Sequence, residues 1–158
     1  MCIRDRLKTV DQVCQIYQSR FPDLLLHLDL PQEPLVVLHD EIRISQVLDN
    51  LLSNAIKYSN HIRDVIDVSV VDQDSTVLIR VRDEGIGMTA GELEKIYTKF
   101  FRAQTEQSVV GGIGLGMAIV KNIVDGHNGT IDIVSQRKVG TTVTVTLPKK
   151  LSLSEKSS

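Results

Sequence analysis

The sequence contains little cysteine. Its two cysteines, Cys2 and Cys14, lie near one end of the chain and do not form a CxxC pair. This number and spacing exclude a disulfide framework and give no zinc-binding pattern. A reducing, cytoplasmic environment is therefore expected for this domain.

Long apolar runs are also absent. The longest candidate, residues 24–26, is interrupted by His27 and Asp29, whereas a membrane-spanning helix needs roughly 18–20 apolar residues. Residues 1–6 contain no apolar segment of the kind found in a secretory signal. The domain itself is predicted to make no membrane contact, although a full-length parent protein could still be membrane-anchored.

No charge of either sign dominates. The 18 Lys and Arg residues nearly balance the 20 Asp and Glu residues, which gives a net charge of -2. Without an excess of basic residues, no nucleic-acid partner is expected. A length of 158 residues with 42% hydrophobic residues is typical of one soluble globular domain.

The two ends of the chain are expected to lie outside this domain. A common sequencing-adapter sequence can encode residues 1–5, so we expect residues 1–6 to be a non-native leader on a fragment of a longer protein. Residues 7–150 are expected to form the domain, and the polar residues 151–158 a disordered tail.

Hydrophobic periodicity divides the chain into helices and strands. Helices are predicted over residues 5–20, 41–58, 91–97 and 115–127. Strands are predicted over residues 24–30, 35–39, 65–71, 77–81, 130–135 and 141–147. Some strands follow one another and others are separated by helices. This order predicts an α+β two-layer sandwich, a mixed sheet with helices on one face.

One predicted helix carries three polar residues at matched spacing. Asn50, Asn54 and Lys57 stand at i, i+4 and i+7, so they share a face roughly opposite the apolar stripe. Amide oxygens are hard ligands for Mg²⁺, and lysine offers a positive charge to phosphate. The pattern is typical of a metal-bridged polyphosphate site, but a solvated polar helix face would show the same spacing.

Two glycine-containing motifs follow. Asp83, Gly85 and Gly87 come directly after a strand, where a carboxylate can accept a hydrogen bond from an adenine amino group and glycines let the backbone approach a base. An ordinary turn gives the same pattern. Further on, Gly111, Gly112, Gly114 and Gly116 open a helix, as in phosphate sites built from backbone N–H groups. Their spacing fits neither the dinucleotide fingerprint nor a P-loop.

Two weaker motifs complete the set. Phe100 and Phe101 could anchor one end of a mobile loop, and Arg102 could meet a terminal phosphate. Taken alone, these residues are better explained by a hydrophobic plug beside a solvated arginine. Thr142 lies in an alternating segment and could place a hydroxyl near the adenine, or simply suit a strand.

The order and spacing of these motifs over about residues 7–148 resemble the Bergerat-fold ATPase and kinase superfamily, most closely the sensor histidine kinases. The N, G1, F, G2 and G3 boxes of that family match residues 50–58, 83–87, 100–102, 112–116 and 140–142. The resemblance implies a Bergerat ATP-binding fold that uses ATP and Mg²⁺ in two-component signal transduction.

The resemblance also implies a role for each matched residue. Asn54 would bind Mg²⁺ with help from Asn50, Lys57 would contact phosphate, and Tyr58 would pack on the nucleotide. Residues 100–112 would form a lid over ATP. The other implied nucleotide-binding residues are Asp83, Gly85, Gly87, Phe100, Arg102, Gly112, Gly114, Leu115, Gly116 and Thr142. Arg102, which would steady the γ-phosphate, is the implied catalytic residue together with Asn50 and Lys57.

Three other activities of the superfamily are alternatives. Its hydrolases, such as gyrase, MutL and Hsp90, carry a water-activating glutamate at the position of Asn50. An amide cannot act as a general base, and Asp49 is rotated by about 100° on the helix, which favours phosphotransfer. A serine-kinase anti-sigma factor and a nucleotide-binding module without catalysis are the other two.

No acceptor histidine is assigned within the chain. Residues 39–43 superficially resemble an acceptor motif, but Arg43 falls one residue late and no proline follows. The implied acceptor is a histidine on a helical dimerisation domain absent from this sequence. The receiver domain of a response regulator is the implied partner of the full-length kinase.

Overall fold

A computed structural model describes residues 2–32, 36–39, 41–58, 65–94 and 116–149. The strands in these ranges are β1 (Cys2–Asp5), β2 (Leu25–Asp29), β3 (Val36–His39), β4 (Val65–Asp72), β5 (Thr76–Asp83), β6 (Thr130–Gln136) and β7 (Gly140–Pro148). The helices are α1 (Arg6–Arg20), α2 (Glu41–Lys57), α3 (Ala90–Glu94) and α4 (Gly116–Gly126). Apart from β1, these bounds agree with the predicted elements to within a few residues wherever the chain is described.

Five strands form one mixed sheet in the order β2-β4-β5-β7-β6. The pair β2–β4 is parallel, and the other three pairs are antiparallel. The strands β2 and β6 form the edges of this sheet. The predicted mixed sheet is therefore confirmed.

A separate two-stranded sheet pairs β1 with β3 in antiparallel register. The sequence pattern predicted a strand at β3 but none at β1, and it began the first helix one residue too early. The pairing joins segments more than thirty residues apart, with Cys2 opposite His39. Local periodicity carries no information about such a pair, because its hydrogen bonds are made between distant backbone groups.

One face of the large sheet is covered by helices. Along β5, Val77, Ile79 and Val81 are buried, whereas Arg80 and Arg82 between and beyond them are exposed. The buried face packs into a core with apolar side chains of α1, α2 and α4. The alternation with period two therefore places the helices on one face, as predicted.

Some predicted features lie outside the described residues. These are the end of the third helix, the lid at residues 100–112, the glycines before Gly116, and the tail at residues 151–158. Among the helices that the structure does describe, none is both long and apolar enough to cross a membrane.

Candidate functional site

Helix α2 presents the first predicted group of polar residues. Its apolar stripe is at most 3% exposed at each position and consists of Ile44, Val47, Leu48, Leu51, Leu52 and Ala55. Asn50, Asn54 and Lys57 are half-buried beside it. The Asn50 Nδ2 donates to the Gln46 backbone oxygen at 2.9 Å. This hydrogen bond uses one of the two amide N–H groups and holds the side chain against the helix, and Oδ1 is its acceptor atom.

The neighbouring carboxylate, Asp49, is engaged elsewhere. The Tyr17 hydroxyl of α1 donates to Asp49 Oδ1 at 2.6 Å and lies 3.1 Å from the Asp49 backbone oxygen. Burial, and then this hydrogen bond, raise the pKa of Tyr17 well above its usual value, so the hydroxyl stays protonated as a donor. Asp49 therefore joins α2 to α1.

Asp83 ends β5 and is the best-defined polar group of the site. Its Oδ1 accepts hydrogen bonds from the backbone N–H of Gly85 at 2.9 Å and of Thr141 at 3.3 Å. Within the described residues, no donor to its Oδ2 is found. Burial raises the pKa of this carboxyl to about 6, and the two N–H donors only partly oppose that rise.

The loop after Asp83 is held against the end of α2. The Ile86 N–H donates to the Tyr58 backbone oxygen at 3.0 Å. A Cβ on Gly85 would lie 2.3 Å from that same oxygen and 3.0 Å from Asp83 Oδ1. Only glycine permits this approach. The sequence predicted that this glycine lets the backbone come close to a base, and in the structure it lets the loop come close to the backbone of Tyr58.

The same loop is held on its other side by the β6–β7 hairpin. Gly87 has a φ of 68°, and a Cβ there would lie 1.9 Å from the Gln136 backbone oxygen. The Lys138 N–H donates to the Ile86 oxygen at 2.7 Å, and Arg137 forms a 3.1 Å ion pair with Glu92 of α3. Residues 83–88 are thus fixed between α2 and the hairpin.

Thr142 and Asp83 lie on opposite faces of the sheet. The cross-strand neighbours of Thr142 are Arg82 and Val134, and Val134 is 64% exposed. Directly paired residues point to the same face of a sheet, so Thr142 lies on the open face. Thr141 is the residue paired with Asp83. Thr141 therefore shares the face of Asp83, and the implied nucleotide contact of Thr142 stays a prediction.

Ser135 was missed by sequence reasoning. Its Oγ lies 2.7 Å from Thr141 Oγ1 and accepts a hydrogen bond from the Met88 N–H at 2.8 Å. A serine at the end of a predicted strand gives no local signal of such contacts. Its pairing with Thr141, which depends on the hairpin register, is the only indication.

The glycine-rich motif is described only at its last residue. Gly116 is the first residue of α4, and α4 packs beside α2, so the motif does lead into a helix as predicted. Phe100, Arg102, Gly112, Gly114 and Leu115 lie outside the described residues. Their implied roles stay predictions.

Comparison with known proteins agrees with this arrangement. A family model described as histidine kinase-, DNA gyrase B-, and HSP90-like ATPase matches residues 39–151. The match includes α2, the Asp83 loop, α4 and the β6–β7 hairpin. Every described element of the site therefore falls inside the family's ATP-binding unit.

Individual relatives narrow the family further. The sensor histidine kinase WalK of Bacillus subtilis is 42% identical over 126 residues, which are 77% of this chain and 20% of WalK. The sensor protein RprX of Bacteroides fragilis is 38% identical over 115 residues, 72% of this chain and 22% of RprX. This chain thus spans about a fifth of the length of these two relatives.

A solved structure gives the same result for the fold. The catalytic domain of the histidine kinase ThkA superposes with a TM-score of 0.81 at 25% identity, covering 94% of this chain and 97% of that domain. The chain therefore belongs to the histidine kinase-, DNA gyrase B- and HSP90-like ATPase family, as an ATP-binding domain of the sensor histidine kinase type.

Proposed function

We propose that this domain binds Mg²⁺–ATP and transfers the γ-phosphoryl group to a histidine on a dimerisation domain of the full-length kinase. The observation that carries the proposal is the Asp83 carboxylate, which is held at one oxygen by two backbone donors beside the end of α2. The match to sensor kinases over most of the chain supports the choice of reaction.

Asp83 is suited to recognise adenine. Because both backbone N–H groups donate to its Oδ1, its Oδ2 is the oxygen that can accept from the 6-amino group of the base. A carboxylate accepts hydrogen bonds at both oxygens and donates none when ionised. The site would therefore prefer adenine to a purine that presents an acceptor at the same position.

The α2 residues fit a Mg²⁺ ion. Asn54 and Asn50 would hold the ion through amide oxygens, which are hard ligands of the kind Mg²⁺ prefers. One N–H of Asn50 donates to the Gln46 backbone oxygen, which orients the amide, and its Oδ1 is the atom that can bind a cation. A bound ion would bridge the phosphates and offset their negative charge. Lys57 would add a positive charge at the phosphate end of the site.

Two residues of α2, Asn50 and Asp49, favour transfer over hydrolysis. Asn50 cannot take a proton from water, because an amide is not a general base at neutral pH. Asp49, the nearest carboxylate on α2, accepts a hydrogen bond from Tyr17 of α1. Phosphoryl transfer needs mainly positioning and charge stabilisation from the protein, which the remaining residues can supply.

Other parts of the proposal rest on the resemblance to the family. Tyr58 would pack on the nucleotide, and Phe100 would anchor a lid over residues 100–112. Arg102 would steady the γ-phosphate, while Gly112, Gly114, Leu115 and Gly116 would bind phosphates through backbone N–H groups. The described start of α4 at Gly116 supports this last role, because helix N-termini attract anions.

The partners also belong to the proposal. The acceptor histidine would lie on a helical dimerisation domain, and the phosphoryl group would pass to the receiver domain of a response regulator. The domain would work in the cytoplasm, where a buried free thiol such as Cys14 stays reduced.

The test is a labelling experiment with γ-labelled ATP, Mg²⁺ and a dimerisation domain of a related sensor kinase. We expect label on the acceptor domain as a phosphoramidate, which is lost in acid and stable in base. Asn54→Ala should abolish labelling without unfolding α2, since alanine is the best helix former. Asn122→Ala, an exposed amide on α4, is the matched control and should label normally.

The alternatives give different products in the same experiment. Steady phosphate release without acceptor, lost in Asn54→Ala, would show a hydrolase. Acid-stable label on a serine of a small partner would show an anti-sigma-factor kinase. Arg102→Ala should slow transfer more than it weakens ATP binding, because a contact made in the transition state acts mainly on the rate.

A further inference from the structure

Three polar residues stand side by side at one end of the helix-covered face. Asp83 of β5 pairs with Thr141 of β7, and Thr141 pairs with Ser135 of β6. Directly paired side chains point to the same face, so the three lie in one row across neighbouring strands. We call these residues the polar row. Its two outer members, Asp83 and Ser135, also form hydrogen bonds with the loop that follows Asp83.

Ser135 is the point at which the polar row and the loop meet. Its Oγ accepts from the Met88 N–H at 2.8 Å, lies 2.7 Å from Thr141 Oγ1, and lies 3.2 Å from the Gly140 backbone oxygen. A hydroxyl has one hydrogen and can accept two hydrogen bonds. All three contacts are satisfied together when Ser135 donates to Gly140 and accepts from both Met88 and Thr141.

The contacts of Ser135 reach Asp83 by two routes. Through Thr141, Ser135 fixes the residue whose backbone N–H donates to Asp83 Oδ1. Through Met88, it fixes the far end of the loop whose near end donates from Gly85 to the same oxygen. Asp83 can rotate only if one of these backbone donors moves.

We infer that Ser135 is a positioning residue for adenine selectivity: it holds Thr141 and the Met88 end of the loop so that Asp83 keeps its Oδ2 directed at the base. This inference rests on the proposed binding of ATP. Ser135 would act through Thr141 and Met88 and would not contact the nucleotide itself. Its effect is on how well the site distinguishes a purine with a 6-amino group from one without.

Strand pairing alone does not require a hydroxyl at this position. The next row along the same strands consists of Val81, Val143 and Ile133, and it is apolar throughout. Strands favour β-branched residues over serine. The hydroxyl of Ser135 therefore serves its contacts with the loop and with Thr141 rather than the sheet.

The experiment compares two probes that differ in one group, ATP and purine riboside 5′-triphosphate, which lacks the 6-amino group. Binding of each is measured by calorimetry with Mg²⁺ present. In Ser135→Ala we expect ATP affinity to fall about three- to tenfold. Affinity for the second probe should fall less, so that the preference for ATP shrinks. Ser135→Thr keeps the hydroxyl and should restore the preference.

Two further variants distinguish a specific loss of preference from a general loss of structure. Thr144→Ala removes a hydroxyl on the open face that accepts from Arg80 Nε at 3.3 Å, and it should leave the preference unchanged. Thr141→Val removes the other hydroxyl of the Ser135 contact while keeping shape and backbone N–H. It should reduce the preference, and it tests the inference even if Ser135→Ala folds poorly.

The outcomes separate this inference from the proposed function. If the wild-type chain binds neither probe, the proposed function is wrong. If the wild type prefers ATP and both Ser135→Ala and Thr141→Val keep that preference, the role of Ser135 is wrong while ATP binding stands. A shrunken preference in both variants, with Thr144→Ala unchanged, supports the inference.

Discussion

Two neighbouring rows on the same face of the sheet have opposite chemistry. The polar row is formed by Asp83, Thr141 and Ser135, whereas two strand positions further in the row consists of Ile133, Val81 and Val143. Backbone pairing is the same in both rows. The difference lies in what covers them, because the apolar row faces helices and the polar row faces the loop after β5.

The comparison shows how a carboxylate can occupy a face that is otherwise a hydrophobic core. A buried charge is costly unless it is hydrogen-bonded. At Asp83 two backbone N–H groups offset part of that cost, and the raised pKa of about 6 records the part that remains. The inner rows have their backbone donors committed to strand pairing and could offer no such compensation.

The largest effect on stability is expected when a carboxylate is placed in an inner, apolar row. Val145 is fully buried, and Val145→Asp would bury a charge with no free donor. We expect a loss of about 4–5 kcal/mol or more in the free energy of unfolding, a large share of a typical domain's stability. Urea denaturation followed by circular dichroism measures it.

The control for this change is one residue away. Thr144→Asp would place the same carboxylate on the open face between Arg80 and Asp132, whose opposite charges offset each other, and should change stability little. If both aspartates were tolerated equally, the helix-covered face could not be a packed core at that row.

A second change tests how tightly the loop is held beside the polar row. Gly87→Ala would force a Cβ to within 1.9 Å of the Gln136 backbone oxygen at a φ of 68°. Strain and overlap should cost about 2–4 kcal/mol and lower ATP affinity. Gly91→Ala, whose Cβ meets nothing within 4 Å, is the control. Thermal melting and ATP titration should separate the two variants clearly.

A third change tests the carboxylate itself. In Asp83→Asn, the two N–H donors would hold the amide oxygen at the Oδ1 position and leave the NH₂ group facing the adenine amino group. ATP affinity should fall about ten- to a hundredfold, since a charge-assisted hydrogen bond is replaced by two opposed donors. Stability without nucleotide should not fall, because the replaced charge is only partly compensated. Unchanged ATP affinity would remove Asp83 from the adenine site.

The smallest effect expected is a dependence on pH. With a pKa of about 6 in the free protein, Asp83 should lose its acceptor character as pH falls below that value. ATP affinity should then decrease by at most about tenfold per pH unit. Calorimetry between pH 5 and 8 measures this, and Asp83→Asn should show a flatter profile.

Stability without nucleotide should respond in the opposite direction. The folded-state pKa of about 6 lies above the ordinary value of 3.8, so the folded protein binds the proton more readily than the unfolded chain. Asp83 therefore makes the domain more stable as pH falls from about 6 towards 3.8. A parallel loss of stability and ATP affinity over this range, absent in Asp83→Asn, would contradict the assignment.

Much of the fold was readable from the sequence. The apolar stripe of α2 and the alternation along β5 gave the elements and their buried faces, because residues three and four apart share a helix face and alternate residues share a strand face. The strand β1 was missed, since its pairing with β3 involves distant backbone groups and no side-chain pattern.

The sequence predicted which residue types the site would use, but not how they are arranged in space. The motifs that contain Asp83, the glycines and the α2 amides predicted the superfamily. Their order along the chain was the strongest evidence for it. The sequence pattern indicated Thr142, whereas the strand register places Thr141 and Ser135 on the face of Asp83. Local patterns could not predict this row, because which residues stand opposite each other depends on strand register.

The sequence by itself determined the periodicities, the motif order and the absence of a glutamate at position 50, and hence predicted the family and favoured transfer over hydrolysis. Only the tertiary structure decided that Tyr17 engages Asp49, that Gly85 approaches the end of α2, and that Asp83, Thr141 and Ser135 form one row. Such contacts depend on how separate elements dock, and local sequence patterns specify the elements but not their docking.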